Sequence, residues 1–280
     1  MNTEEAFGLI DRIDHVMAGK CHDASLSPDV FKTLDDINAS QRDIETVGLT
    51  IGSEVSLRLF AIANSAYYGS LRRGNIGSFY DVVNCLGTHQ TKALIIALSN
   101  SSQGKQDQEV ETIFARSYAT SIMAMILAGQ IGYREDAQKK AEMGGLFMEC
   151  GRKMMILYKK MHAHDPDILN DEFIESYHPY LGEKIVRRYG LPDYIKTVIL
   201  ARNLIMEENN LSLAGVVHLA YDSVRESFRN NDNRLVIKCQ IPRPATDVTR
   251  TIEAIVTEKF RAVGLEKYLH IIKIPRTYDY

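Results

Sequence analysis

Cysteine is scarce and scattered in this chain. The four thiols, Cys21, Cys85, Cys150 and Cys239, form no C-x-x-C pair. A zinc knuckle or a redox motif is therefore unsupported, and reduced, mostly buried thiols of a cytoplasmic protein are the simplest expectation. An excess of charge of one sign is also missing. Thirty-three basic residues stand against 36 acidic ones, a net charge of −3, so no nucleic acid or membrane partner is expected on electrostatic grounds. A local basic patch stays compatible with that balance. Long apolar runs are absent. The longest tight one, Ala93 to Leu98, falls far short of the about 20 residues that span a bilayer. The first residues, MNTEEAFGLIDRID, are acidic and interrupted, which is the wrong pattern for a signal peptide. No G-x-x-x-x-G-K-[ST], G-x-G-x-x-G or G-x-S-x-G occurs. P-loop, Rossmann and hydrolase-elbow chemistry thus have no footing. Neither a fixed-period repeat nor a low-complexity segment is visible.

What the chain does have is core material. Its 280 residues are 45% apolar, enough for one large domain or two ordinary ones. The apolar spacing is helical almost throughout. Asn2 with Glu5 predicts a capped first helix running to about Gly19, with Ile10, Ile13 and Met17 facing inward. Leu26-Ser27-Pro28 is a helix start, with Ser as cap and Pro in the first turn. The helix Asp29–Ala39 follows, with Val30, Phe31, Leu34 and Ile37 as its buried face. Short helices are expected over Ile44–Ile51, Glu54–Ala63 and Gln90–Ser99. Asn100 to Gln108, NSSQGKQDQ, is polar and reads as the internal boundary. Long helices then span Val110 to Gly132 and Asp136 to Tyr158, the latter with a break near Gly144-Gly145 or Gly151. Further segments are Asp171–Tyr177, Pro179–Tyr189, Pro192–Asn203, Ser212–Phe228 and Asp247–Val263. Leu235–Ile241 alternates like a short strand that could pair with His270–Ile274. The methionines from Met123 to Met161 read as adaptable core.

The most distinctive stretch runs from Leu59 to Gly87. Leu59, Ile62, Ala63, Ala66 and Tyr67 share a helical face. The run ends in the turn Asn64-Ser65-Ala66-Tyr67-Tyr68-Gly69. A basic connector with Arg72 and Arg73 follows. Ser78 with Asp81 then opens another helix as a capping box. This pattern, closed by Leu86-Gly87, resembles the signature of the HDOD family, the HD-related output domains of bacterial signalling proteins. On the residues themselves the turn reads as structural. Asn64 satisfies a helix end, Gly69 takes a backbone conformation closed to other residues, and the tyrosines fill a core.

The resemblance implies an all-α fold. An N-terminal helical lobe covers residues 1–104, a degenerate HD-like helical lobe covers 105–230, and a C-terminal extension covers 231–280. It also implies where a metal would sit in an HD phosphohydrolase. There, histidines and aspartates from several helices hold divalent cations that activate water against a phosphoester. In this chain the first histidine position carries Arg116. The His-Asp pair has become Met148-Glu149. The later acid position falls on Tyr221, with Asp222 one residue off. His178 with Gly182 matches the family's His-x-x-x-Gly. An arginine repels a cation and a thioether suits hard cations poorly. No catalytic residue, metal or cofactor is therefore expected, and the leading expectation is a non-catalytic signalling or regulatory module acting on signalling proteins in trans. If the helices still converge, Arg116 and Glu149 should form an internal ion pair. Two alternatives stand beside it. One is a metal-dependent phosphohydrolase with the displaced set Glu149, His178 and Asp222. The other is a nucleotide-binding sensor using Arg72, Arg73, Arg187 and Arg188 with nearby tyrosines. His162-Ala163-His164-Asp165 looks superficially metal-like but is expected in a helix-end loop.

Overall fold

A computed structural model describes residues 2–20, 26–65, 76–102, 107–162, 169–201, 206–207, 210–230, 254 and 256–270. The fold is all-α. In chain order the helices are α1 (Thr3–Lys20), α2 (Pro28–Asp35), α3 (Gln41–Thr50), α4 (Ser53–Ala63), α5 (Phe79–Leu86) and α6 (Thr88–Ser102). They continue with α7 (Gln108–Gln130), α8 (Glu135–Phe147), α9 (Cys150–Met161), α10 (Asp171–Arg188), α11 (Asp193–Leu200) and α12 (Leu213–Asn230). A two-residue antiparallel ladder joins Met206–Glu207 to Asn210–Leu211. The strand pairing expected between Leu235–Ile241 and His270–Ile274 lies almost wholly outside the described residues.

The chain divides into two compact units, with one boundary at Gly104. One unit contains α7 to α12 and also α1. The expected lobe of residues 1–104 differs here, because α1 docks on α10 and α9. Its Ala6, Ile10, Ile13 and Met17 join one core with Met154, Met155, Phe173 and Leu181. Long-range packing decided this placement, and no local pattern could. The start of α1 is as expected: Glu5 N donates to Asn2 Oδ1 at 2.8 Å, and Asn2 N donates to Glu5 Oε2 at 2.9 Å.

Helix α7 runs through the centre of this unit, packed by α8 and α12. Among the described residues it is the one single helix long and apolar enough to cross a membrane, and 78% of that window is buried. Ala115, Ala119, Ala124 and Ala128 are at most 1% exposed, so neighbouring helices approach closely. Gly145 of α8 shows how closely: a Cβ there would stand 2.7 Å from Ser121 Cα. At the α9–α10 crossing, a Cβ on Gly151 would stand 1.9 Å from the His178 carbonyl oxygen and 2.6 Å from Gly182 N. Only hydrogen fits these two crossings. The expected segments Asp171–Tyr177 and Pro179–Tyr189 are one continuous α10 with Pro179 inside. A proline in a helix interior costs roughly 3 kcal/mol. Burial of Phe173, Ile174, His178, Leu181, Ile185 and Val186 on the same helix outweighs it.

The other unit contains α2 to α6 and a helical stretch over 256–262. Ser27 caps α2 through Val30 N, and Pro28 sits in its first turn. The helix ends at Asp35 rather than Ala39, which leaves Ile37 96% exposed instead of buried. Ser40 with Asp43 and Ser78 with Asp81 both form complete capping boxes. Glu45 of α3 adds a third acceptor at α5, receiving Phe79 N at 3.2 Å and Tyr80 N at 3.0 Å. This places a carboxylate at the positive end of α5 and ties two helices together. Lys92 is 1% exposed and is held by both carboxylate oxygens of Asp35, at 2.7 and 2.8 Å. Leu59, Ile62 and Ala63 are buried as one face of α4.

Candidate functional site

The site is built where α7, α9, α10 and α12 meet around Glu149. Helix α8 ends at Phe147 and α9 begins at Cys150, so Met148 and Glu149 form the break between them. This is the interruption expected in the stretch 136–158, placed between its glycines rather than on one of them. Gly145 and Gly151 press the flanking helices against α7 and α10, and the junction is thereby driven inward. Glu149 is 1% exposed and Met148 3%.

A buried carboxylate demands partners, since an unpaired buried charge is costly. Glu149 has three. Arg116 of α7 grips it in a fork, with Nε donating to Oε2 at 2.7 Å and Nη2 donating to Oε1 at 2.5 Å. Two parallel bonds of this kind are the strong form of a guanidinium–carboxylate pair. Tyr221 of α12 donates its hydroxyl to Oε1 at 3.4 Å. Arg152, one turn into α9, brings Nε to 3.0 Å from Oε1. That approach gives charge pairing without hydrogen-bond alignment, because Nε has no hydrogen-bond partner. Burial and the nearby Glu149 push the Tyr221 phenol up, which keeps it a donor.

The network continues outward. Arg152 Nη2 donates to Glu175 of α10, and Arg225 Nη1 of α12 donates to Glu175 Oε1 at 2.6 Å. Burial pushes the Glu175 carboxyl up, but the two arginine hydrogen bonds outweigh it and hold the group at about 2. The result is a ladder of alternating charge, Arg116–Glu149–Arg152–Glu175–Arg225, that laces four helices. Arg116, Arg152, Ile174 and Glu175 also line an open cleft of about 630 Å³.

His178 is buried within this unit, on the same face of α10 as Glu175. Burial, and then the Arg152 charge, depress its imidazole to about 3, so it is neutral at physiological pH. Its Nδ1 has no hydrogen-bond partner. Gly182 lets α10 lie against α9, with its missing Cβ position 3.2 Å from Cys150 Sγ. Burial pushes that thiol up to about 12, so it stays protonated at neutral pH.

The residues singled out in the sequence divide clearly. Arg116, Glu149 and Tyr221 are brought together, and the Arg116–Glu149 pair has the geometry anticipated for it. Asp222 is exposed and points away from the buried carboxylate, so Glu149, His178 and Asp222 do not assemble as one set. Arg187 pairs with Glu183 on its own helix at 2.6 Å. Arg188 is occupied by the Asp14 carboxylate and, at 2.9 Å, by the Asp14 carbonyl oxygen. Arg72 and Arg73 lie outside the described residues, as do Ala66 to Gly69. His162 caps the end of α9, with Nδ1 3.0 Å from Tyr158 O and its ring stacked on Tyr158 at 4.2 Å. His164 and Asp165 also lie outside the described residues.

Asn64 shows what the described part of the signature turn does. Its Oδ1 accepts Ile76 N at 3.0 Å, and its Nδ2 donates to Phe60 O at 3.1 Å and Ile76 O at 3.4 Å. One side chain thus closes the end of α4 and pins the far end of the connector.

Sequence reasoning missed Arg152, Glu175 and Arg225. Arg152 had a local signal, lying three residues after Glu149 on the same helix face. The other two pair over 50 residues of chain and have none.

The donor set does not fit a divalent cation. Its one buried carboxylate already faces three donors, and the nearest groups are guanidinium ions that repel a metal. Among the described residues no three His, Cys, Asp or Glu side chains gather in a metal-holding arrangement.

Comparison with known proteins gives a consistent family. A search of curated proteins finds no match. The fold is similar to a "Putative metal-dependent phosphohydrolase" from Shewanella amazonensis SB2B, with TM-score 0.58 and 14% identity over 94% of this chain and 98% of the other. A "Putative phosphohydrolase" from the same organism gives TM-score 0.51 and 16% identity over 90% of this chain and 99% of the other. At such identities the likeness is one of fold. The model of the HDOD domain matches residues 25–204, well over half the sequence, and on that match the chain belongs to the HDOD family.

Proposed function

We propose that this protein is a non-catalytic HDOD signalling or regulatory module, working through contacts with signalling proteins in trans or with a small ligand. The observation that carries the reading is the Arg116–Glu149 fork. By the family pattern, Arg116, Met148 and Tyr221 stand where an HD phosphohydrolase would place metal ligands. The permanent charge of the guanidinium neutralises the buried acid that a cation would otherwise balance, and it does so without hydration or exchange. The scaffold keeps its helical crossings while water-activating chemistry has no metal to run on.

The test is direct. The purified full chain is analysed for Mn, Fe, Zn and Mg and assayed on bis-(p-nitrophenyl) phosphate and cyclic dinucleotides with each metal added. The expected outcome is substoichiometric metal and no turnover above buffer. One bound metal per chain together with release of the phosphoester product would overturn the reading in favour of a phosphohydrolase with a different ligand set. Saturable cyclic-dinucleotide binding without turnover would assign the small-ligand branch.

A further inference from the structure

Away from the charge ladder, α1 and α10 enclose a second cleft of about 560 Å³. Four aromatic rings line it: Phe7 from α1, and Phe173, Tyr177 and Tyr180 from α10. Phe7 stands edge-on to both tyrosines, with centroids 6.1 and 5.1 Å away and planes at 87° and 79°. Phe173 and Tyr177 stack at 4.7 Å with planes 27° apart. The cleft therefore has aromatic walls set nearly at right angles. Among the described lining residues Glu172 is the single carboxylate, and none is basic.

Packing of α1 alone does not account for Phe7. The helix docks through Ala6, Ile10, Ile13 and Met17, all at most 5% exposed, whereas Phe7 stays 37% exposed. The nearby first turns are acidic, and Lys159 is a base beside them, paired with Asp171. The first turns of α1 and α10 carry Glu4, Glu5, Asp171 and Glu172. Of these, Asp171 has Lys159 at 3.7 Å and Glu5 accepts Asn2 N. Aromatic faces attract cations through the ring quadrupole, and a nearby carboxylate adds to that attraction. The complement of such a cleft is an organic cation with an apolar stem.

We infer that the cleft receives a lysine or arginine side chain from a partner polypeptide. The cleft opens to solvent along Phe7, so an occupant covers its head and stem there while its remainder stays outside. A free small ligand would instead have most of its surface enclosed. The methylene stem of a basic side chain packs on Phe7 and Tyr180 while the charged head reaches Glu172.

The test uses the full chain with aromatic side chains labelled for NMR. It is titrated at constant ionic strength with acetyl-Gly-Arg-Gly-amide and acetyl-Gly-Lys-Gly-amide, with the Gln peptide as control and tetramethylammonium as a free cation. Saturable shifts confined to the rings of Phe7, Tyr177 and Tyr180, with a basic peptide and not with the Gln peptide, are expected. Phe7→Ala should weaken the response about fivefold, and Glu172→Gln, an exposed change that leaves the fold alone, about threefold. Saturation by tetramethylammonium with silent peptides would overturn the assignment to a polypeptide partner. No saturation with any cation, or equal binding by both variants, would overturn the cation site itself.

Discussion

Arg116→Met is the sharpest probe of the buried pair. Methionine keeps an apolar stem of similar length and removes the guanidinium. Two charge-assisted hydrogen bonds to Glu149 are lost, at 2.7 and 2.5 Å. Breaking a buried ion pair by removing one partner costs roughly 3–5 kcal/mol. Here Glu149 keeps Arg152 Nε at 3.0 Å and the Tyr221 hydroxyl at 3.4 Å, and these absorb part of the stranded charge. The expected loss is therefore lower, about 2–3 kcal/mol. Glu149→Gln should cost about 2 kcal/mol, since it leaves two guanidinium groups facing an amide. The double variant strands neither charge in the same way. Its loss should fall short of the sum by about 1.5 kcal/mol or more. Equilibrium urea denaturation of the four proteins measures this coupling. Additivity within about 0.5 kcal/mol, or a single Arg116→Met variant as stable as the parent, would refute the claim that the fork neutralises the buried acid.

Other consequences follow from geometry. Gly151→Ala should destabilise by more than about 3 kcal/mol or prevent folding, because its Cβ would overlap the His178 carbonyl. Gly8→Ala, in α1 with nothing within 4 Å of the new Cβ, should instead gain about 0.5–1 kcal/mol; thermal melts of the two separate close approach from generic glycine effects. Neutral His178 links stability to pH. Its folded value of about 3 lies below the ordinary 6.5, so the unfolded chain binds the extra proton. The stabilisation is complete above pH 6.5 and declines as pH falls toward 3, by about 2 kcal/mol at pH 5. His178→Gln should flatten that slope, and an unchanged slope in urea titrations from pH 7 to 5 would count against it. Asn64→Ala should cost about 1–2 kcal/mol by releasing Ile76, and Asn64→Asp should cost at least as much, because its carboxylate would face the Phe60 and Ile76 carbonyl oxygens at the negative end of α4; denaturant midpoints decide.

What the sequence determined by itself is local. Asn2, Ser27 and Ser78 start helices because a side-chain oxygen within three residues meets an orphan backbone N–H, and that spacing is written in the chain. The apolar stripe of α4 and the inward face of α1 follow from helical period in the same way. The pairing of Arg116 with Glu149 was legible too, because a guanidinium and a carboxylate carry their charges in their identity. Tertiary structure decided the rest. It set α1 on α10 rather than with the helices that follow it, and it carried α10 through Pro179. It left Ile37 in water by ending α2 one turn early, and it extended one anticipated ion pair into a five-residue ladder. Each of these depends on groups tens of residues apart meeting in space. The free energy that fixes them comes from burial and charge pairing across helices, which no local pattern encodes.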